Sequence, residues 1–182
     1  IAEAFHHAGA EVFGVGRTPA KNVSSKWNYI SCDVTNSEAM AALLKKISED
    51  GHKLNVLVNA AGITNPSKAE DTLTKFKKTL DVNLIAIYEI CSSAISYLKG
   101  SDGGSIINIT SIGSKMGFPG NPGYVAAKGG LRMLTKALAN DLGADNIRVN
   151  NLAPGYIKTD MTKLSYESEE MNLARRERTL LD

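Results

Sequence analysis

The sequence predicts an α/β protein: a doubly wound parallel sheet in three layers, with helices on both faces of the strands. Three observations carry that expectation. Short apolar runs alternate with amphipathic segments along the whole chain, which is the pattern of right-handed βαβ units. The composition is globular, with 43% hydrophobic and 22% charged residues in 182. Small or polar residues follow most of the apolar runs, at the strand ends where such sheets bind ligands.

The elements follow in order. Ile1 to Gly9 reads as the last turns of an amphipathic helix, with Ile1, Ala4, Phe5 and Ala8 at helical spacing and Gly9 as the stop. No capping residue precedes it and the first residue is not Met, which reads as a fragment or an incomplete record. Glu11 to Val15 is a strand ending at Gly16-Arg17, and Asn28 to Cys32 is a second, ending at Asp33. Ser37 to Ser48 is a helix with Met40, Leu43, Leu44 and Ile47 on one face, capped by Asp33 or Asn36. Leu54 to Asn59 is almost continuously apolar, as in a strand covered on both faces. It ends in Ala60-Ala61-Gly62, where the missing bulk lets another group approach the backbone.

Thr72 to Leu98 forms one long helical stretch, and Ser105 to Ile109 a fourth strand. Gly113 to Gly123 is a glycine- and proline-rich loop, followed by an alanine- and leucine-rich helix from Tyr124 to Leu142. Ile147 to Leu152 is the fifth strand, broken by Ala153-Pro154-Gly155, and the polar remainder carries mixed charge. Residues 1–182 thus read as a single domain.

Composition also narrows function. Twenty-one basic and 19 acidic residues leave a net charge of +2, too balanced for a nucleic-acid binder that neutralises phosphates. No apolar run is long enough to span a bilayer, and nothing directs the chain to an anionic membrane surface. Two cysteines and three histidines give no metal cluster. The reading is a cytoplasmic protein that takes a small-molecule partner.

The residues that could do chemistry start with Tyr124 and Lys128, one turn apart on a helix face. An ammonium near a phenol stabilises the phenolate and lowers a Tyr pKa from about 10 towards neutrality. Such a Tyr can exchange a proton with an alcohol or a ketone. Ser111 follows the Ser105–Ile109 strand, and its hydroxyl can hold a carbonyl or alkoxide oxygen beside the Tyr. The plainer alternatives are a solvated helix face for the pair and a loop-starting Ser for Ser111.

The chain resembles the short-chain dehydrogenase/reductase family, of the compact single-domain kind with a Rossmann-type sheet. The resemblance rests on Asn59-Ala60-Ala61-Gly62, Asp81-Val82-Asn83-Leu84, Ile107 to Ser111, Tyr124-Val125-Ala126-Ala127-Lys128, and Val149-Asn150 through Pro154-Gly155 to Thr159, in the family's order. It implies Tyr124 as general acid/base, Lys128 as its electrostatic partner and a ligand of the nicotinamide ribose, and Ser111 as the substrate-orienting hydroxyl. It also implies Asn83 as the holder of a relay water. Cofactor contacts are implied at Asp33 and Val34 beside the adenine, at Asn59, Ala60, Ala61 and Gly62, and at Pro154, Gly155 and Thr159 near the nicotinamide. Ala60 stands where the family often has a second Asn.

The cofactor's identity can be argued physically. A carboxylate at the end of the Glu11–Val15 strand would bond both ribose hydroxyls and repel a 2′-phosphate. Gly16 occupies that position and Arg17 follows, which suits a 2′-phosphate. The expectation is NADP(H) over NAD(H). The family's first strand and glycine-rich turn would precede Ile1, and its last strand and helices would follow Asp182, so the sheet should lack the strand that joins its halves.

The resulting reading is an oxidoreductase that moves a hydride between NADP(H) and a ketone or secondary alcohol. The alternative is a non-catalytic or truncated dinucleotide-binding scaffold, against which the Ser111–Tyr124–Lys128 set argues. The overall look is closest to reductases of 3-oxoacyl chains and to gluconate- or polyol-type dehydrogenases. Residues 63–70 and 161–182 would cover the substrate. Leu131, Met133, Leu134 and Leu138 are candidates for a helix-to-helix contact in a homodimer or homotetramer.

Overall fold

The computed structural model describes residues 1–18, 27–66, 72–101 and 103–177. Parallel strands alternate with helices in the expected order. Helix α1 spans Ala2–His7, β1 Phe13–Gly16, β2 Asn28–Ser31, α2 Ser37–Glu49 and β3 Val56–Asn59. Helix α3, Thr72–Leu80, runs through a π-helical turn at Asp81–Ile85 into α4, Ala86–Lys99. Strand β4, Gly104–Ile109, leads through a 3₁₀ turn at Ile112–Ser114 to α5, Pro122–Leu142. A second 3₁₀ turn, Gly143–Asp145, precedes β5, Ile147–Leu152, and the chain continues through α6, Lys163–Glu167, and α7, Glu169–Arg176.

Among the described residues the strands form two parallel sheets, β1-β2 and β3-β4-β5. Their registers set Gly16 beside Ser31, and Asn59 beside Asn108 beside Asn151. The core lies on one face of the three-stranded sheet. There Ile106, Ile147 and Val149 meet Ile87, Cys91, Ala94 and Leu98 of α4 and Leu131, Leu138 and Leu142 of α5. On the opposite face Val58 and Ile107 are half-buried, while Val56, Arg148, Asn150 and Leu152 are exposed.

Several boundaries differ from the sequence expectation for local reasons. Asn36, not Asp33, caps α2: its side chain accepts from the Ala39 N–H at 2.9 Å. Asp33 turns its carboxylate to Thr35 instead, two residues on, as Asp does in a tight turn. Helix α5 starts at Pro122 rather than Tyr124, because proline fits the first helical position, where its missing N–H has no partner to lose. Of the four α5 residues expected at a helix-to-helix contact, two are corrected by their burial. Leu131 and Leu138 belong to the chain's own core and Leu134 packs against it, while Met133 is 58% exposed.

Helix α5 approaches α3 and the π-helical turn closely because it carries glycines there. A Cβ on Gly123 would lie 3.2 Å from the Phe76 Cα, and one on Gly130 would lie 2.9 Å from Leu84 Cδ2. That approach brings the first turns of α5, with Tyr124 and Lys128, against the strand ends.

Candidate active site

The strand ends gather most of the residues that the sequence singles out, in two clusters. The first lies at the tips of β1 and β2. Arg17 is exposed directly after β1, and its carbonyl accepts from the Ser31 hydroxyl at 3.2 Å. Asp33 accepts from the Thr35 N–H at 3.0 Å and from its hydroxyl at 2.8 Å. Those two bonds hold the Asp33 carboxyl below its ordinary range, and the charges of Arg17 and Lys78 act in the same direction. Val34 sits half-buried beside it.

The second cluster lies at the tips of β3, β4 and β5. Lys128 is only 4% exposed, and its Nζ donates to the Ile109 carbonyl at 2.7 Å. Burial pulls its pKa down to about 8, since a dry surrounding disfavours the charged amine. The same Nζ lies 5.9 Å from the centre of the Tyr124 ring. A Cβ on Gly62 would come 3.7 Å from that Nζ and 3.3 Å from Asn83 Oδ1, so the β3 tip, Lys128 and Asn83 meet at one point.

Asn83 is fully buried in the π-helical turn. Its carboxamide clamps the backbone of Ile63 at both ends: Nδ2 donates to the Ile63 carbonyl and Oδ1 accepts from the Ile63 N–H, each at 2.8 Å. Both bonds leave the helix that carries Asn83. A π-helical turn inside a long helix is a common mark of a functional site. The periodicity of Thr72 to Leu98 gives no hint of it; a polar Asn amid apolar residues is the one available signal.

Ser111 is 8% exposed, and its Oγ accepts from the Gly113 N–H at 3.0 Å, capping the 3₁₀ turn. Its hydroxyl proton is thereby left to point elsewhere. The Ile112 N–H donates to the Pro154 carbonyl at 3.2 Å, which joins the turn after β4 to the turn after β5. Ala60, Gly155 and Thr159 are exposed and Ala61 and Pro154 half-buried, so the backbone along the strand tips is open.

Asn59 stands apart from this group. Its Nδ2 donates to Asn108 Oδ1 at 2.8 Å and to Cys91 Sγ at 3.3 Å, which turns the amide into the core beneath the strand tips. Two polar groups to which the sequence assigned no role, Thr110 and Asn121, also make bonds here. Thr110 doubly ties the β4 tip to Leu152, through its N–H at 2.8 Å and its hydroxyl at 3.1 Å. Asn121, just before α5, donates to the Thr64 hydroxyl at 2.6 Å. A polar residue directly after β4 was the signal for Thr110; Asn121 lies in the glycine- and proline-rich loop before α5, and its polarity alone pointed to it.

Beyond β5, Tyr156 joins α6 and α7. The Tyr166 hydroxyl donates to the Tyr156 carbonyl at 2.9 Å, and the Arg175 guanidinium sits 4.2 Å from the Tyr166 ring centre and 5.7 Å from that of Tyr156. The other segment expected over the substrate, residues 63–70, lies partly outside the described residues. Among the described residues no group of His, Cys, Asp and Glu is placed to hold a metal. No helix of the described residues is long and apolar enough to cross a membrane.

Tyr124 and Lys128 thus stand at the strand ends of an α/β fold with parallel sheets. The sequence matches the family profile described as short chain dehydrogenase over residues 1–170, and the chain belongs to that family. It is 36% identical over 167 residues to a 3-oxoacyl-[acyl-carrier-protein] reductase of Chlamydia muridarum, covering 87% of this chain and 67% of the relative. Its fold matches the ligand-free aldohexose dehydrogenase of Thermoplasma acidophilum with a TM-score of 0.84 at 30% identity, over 97% of this chain and 69% of the other. It also matches a putative NAD(P)-dependent gluconate 5-dehydrogenase from Beutenbergia cavernae with bound NADP, with a TM-score of 0.89 at 29% identity, over 98% and 75%. The chain spans 56% to 70% of the length of the three Chlamydia reductases it matches.

Proposed function

We propose that the protein interconverts a ketone and a secondary alcohol with NADP(H) as the hydride partner, NAD(H) being the poorer one. The observation that carries this reading is the buried Lys128 amine, held by the Ile109 carbonyl beside Gly62, Asn83 and the Tyr124 ring. The residues fit a dinucleotide. The exposed or half-buried backbone of Ala60, Ala61, Gly62, Pro154 and Gly155 leaves room along the strand tips; Thr159 would hold the nicotinamide side, and Asp33 with Val34 the adenine. Asn59 supports that surface from below. The nicotinamide, when bound, supplies or takes the hydride.

The chain's own part is proton transfer and positioning. The Tyr124 phenol passes its proton to the substrate oxygen on reduction and takes it back on oxidation. Lys128 sets the electrostatics beside that phenol and holds the cofactor ribose. Ser111 keeps its acceptor side on Gly113 and directs its free hydroxyl proton at the substrate oxygen. Asn83 acts behind Lys128, fixing Ile63 and holding the relay water at the π-helical turn.

Replacing Tyr124 with Phe is expected to abolish turnover of a ketone panel with NADPH while cofactor affinity stays within about threefold; undiminished turnover refutes the assignment. Arg17 supports the cofactor preference, since it stands exposed at the β1 tip with no carboxylate at Gly16. Arg17→Ala should lower the NADPH-to-NADH ratio of kcat/KM by about tenfold, the loss of one charge-assisted contact to a 2′-phosphate. A wild-type ratio favouring NADH would overturn the preference.

The substrate is a small ketone or alcohol of the 3-oxoacyl or polyol type, a reading supported by the names of the relatives. The assembly is a homodimer or homotetramer, supported by the exposed Ile85 of the π-helical turn, Tyr88 of α4 and Met133 of α5. It has no nucleic-acid or membrane partner.

A further inference from the structure

We propose that Thr135 is a positioning residue for the site: it closes a hydrogen-bond chain, buried over β3 and β4 and half-buried at β5, that fixes α5, and with it Lys128, against the tips of β3, β4 and β5. The inference rests on the proposed role of Lys128 but draws on different atoms.

Three asparagines stand side by side across the sheet, Asn59 on β3, Asn108 on β4 and Asn151 on β5. Thr135 faces them from α5. The Asn59 Nδ2 donates to Asn108 Oδ1 at 2.8 Å, and the Asn108 Nδ2 donates to Thr135 Oγ at 2.9 Å. The Thr135 hydroxyl has Asn151 Oδ1 at 2.8 Å, and the Asn151 Nδ2 donates to the Arg132 carbonyl at 3.2 Å. With the Thr135 proton on Asn151, every step runs in the same donor direction and each bond polarises the next. The chain begins on β3 and ends on the backbone of α5.

The hydroxyl of Thr135 is the only group in this chain with a choice. It has one proton and two acceptors, Asn151 Oδ1 and the Leu131 carbonyl, both at 2.8 Å. Pointing at Leu131 it merely bonds back along its own helix. Pointing at Asn151 it joins α5 to β5. Thr135 is 2% exposed, Asn108 fully buried and Asn59 5% exposed, so water does not substitute for a lost bond among these three, while Asn151 at the far end is half-buried. An apolar layer would be cheaper to bury; a fully satisfied polar one admits only one register.

The placement of this layer gives it a consequence for the site. It lies directly beneath the site segments: Asn59 precedes Ala60 to Gly62, Asn108 precedes Ile109 to Ser111, and Asn151 precedes Pro154 and Gly155. Thr135 follows Lys128 by two helical turns, on the same face. Helix α5 therefore grips β4 twice, by Thr135 on Asn108 and by Lys128 on the next residue, Ile109. Loosening the lower grip leaves the Lys128 amine as the only side-chain anchor of the upper one.

The test compares the full chain with its Thr135→Val and Thr135→Ser variants, by amide hydrogen exchange and by steady-state kinetics. Val keeps the shape and loses the hydroxyl; Ser keeps the hydroxyl. In Thr135→Val, exchange at residues 109–113 and 124–128 should speed up by about tenfold, with the β1-β2 amides unchanged. The kcat with NADPH should fall by about tenfold or more while KM stays within about twofold, as expected of a misplaced group. Thr135→Ser should restore both. Exchange equal to that of the wild type overturns the proposal. So does a Ser variant as impaired as Val, or faster exchange spread over the whole core with kcat unchanged. If Thr135→Val does not fold, Asn151→Ala removes the same link from the strand side and must show the same local loosening. The exchange measurement needs no turnover, so a chain that reduces no ketone refutes the proposed function and leaves this test standing.

Discussion

The two sheets of this molecule are built to different standards. In the β3-β4-β5 half, β4 has four of its six residues buried, and side chains from three strands and α5 are joined by hydrogen bonds. In the β1-β2 half no strand residue is buried: β1 is half-buried throughout, and both ends of β2 are exposed. The candidate chemistry divides along the same line. Tyr124, Lys128, Ser111 and Asn83, whose work needs fixed atoms, stand on the first half. Arg17, which would choose between cofactors, and Asp33, which would hold the adenine, stand on the second with exposed or partly exposed charges. Positioning within a fraction of an ångström demands a packed support, whereas reading a phosphate by charge tolerates motion.

The largest effect should come from the packed half. Leu131 is fully buried among α4, α5 and the sheet. Leu131→Ala is expected to cost about 2–5 kcal/mol in urea unfolding, the lost transfer energy plus the cavity. A loss below about 1 kcal/mol would mean that this half is not the stability core and would erase the contrast.

The next effect separates the two halves by pH. Burial holds the Lys128 amine at about 8, against 10.5 for a free lysine. Below pH 8 both the folded and the unfolded chain carry that proton, and the fold bears the full penalty of a buried charge. Between pH 8 and 10.5 only the unfolded chain holds it, so stability rises with pH through that window. The stability difference between wild type and Lys128→Met should therefore grow in favour of wild type by about 3 kcal/mol from pH 8 to 10.5. Parallel unfolding curves for the two across that range would show that the amine is not desolvated.

Much of this division can be read from the sequence, though unevenly. The strands and their order were legible because each is a short apolar run closed by small or polar residues, and the Tyr124–Lys128 pair because helical spacing is fixed. The π-helical turn was not, since Val82, Leu84 and Ile85 continue the apolar pattern of the helices on either side. Helices α6 and α7 were hidden by their polarity; Glu169 and Glu170 at the start of α7 and Arg175 and Arg176 at its end were the available signal. The asparagine layer sat in plain view as Asn59, Asn108 and the Asn150-Asn151 pair near the ends of three strands, but only register shows which of them are neighbours. Two of the supposed interface leucines proved to be core because a helix's apolar stripe does not say which neighbour it meets.

The smallest effect tests the lighter half. A Cβ on Gly14 would lie 2.1 Å from Trp27 Cζ3, so the Trp27 ring packs directly over the β1 backbone. Trp27 also meets Tyr29 edge-on at 6.3 Å, and the Tyr29 hydroxyl donates to the Thr18 carbonyl at 2.6 Å. Gly14→Ala forces the indole away from the strand, a displacement that costs about 1–3 kcal/mol. Replacing a strand glycine returns about 0.5–1 kcal/mol of backbone entropy. The net loss should be about 1–2 kcal/mol, with a shift in Trp27 fluorescence, the only tryptophan reporting on it. Because the β1 tip carries Arg17, the same variant should weaken NADPH binding while amide exchange around Lys128 and Asn108 stays as in the wild type. Faster exchange at Lys128 in Gly14→Ala would show that the two halves unfold as one unit, and the contrast between a packed support and a lighter selector would fail.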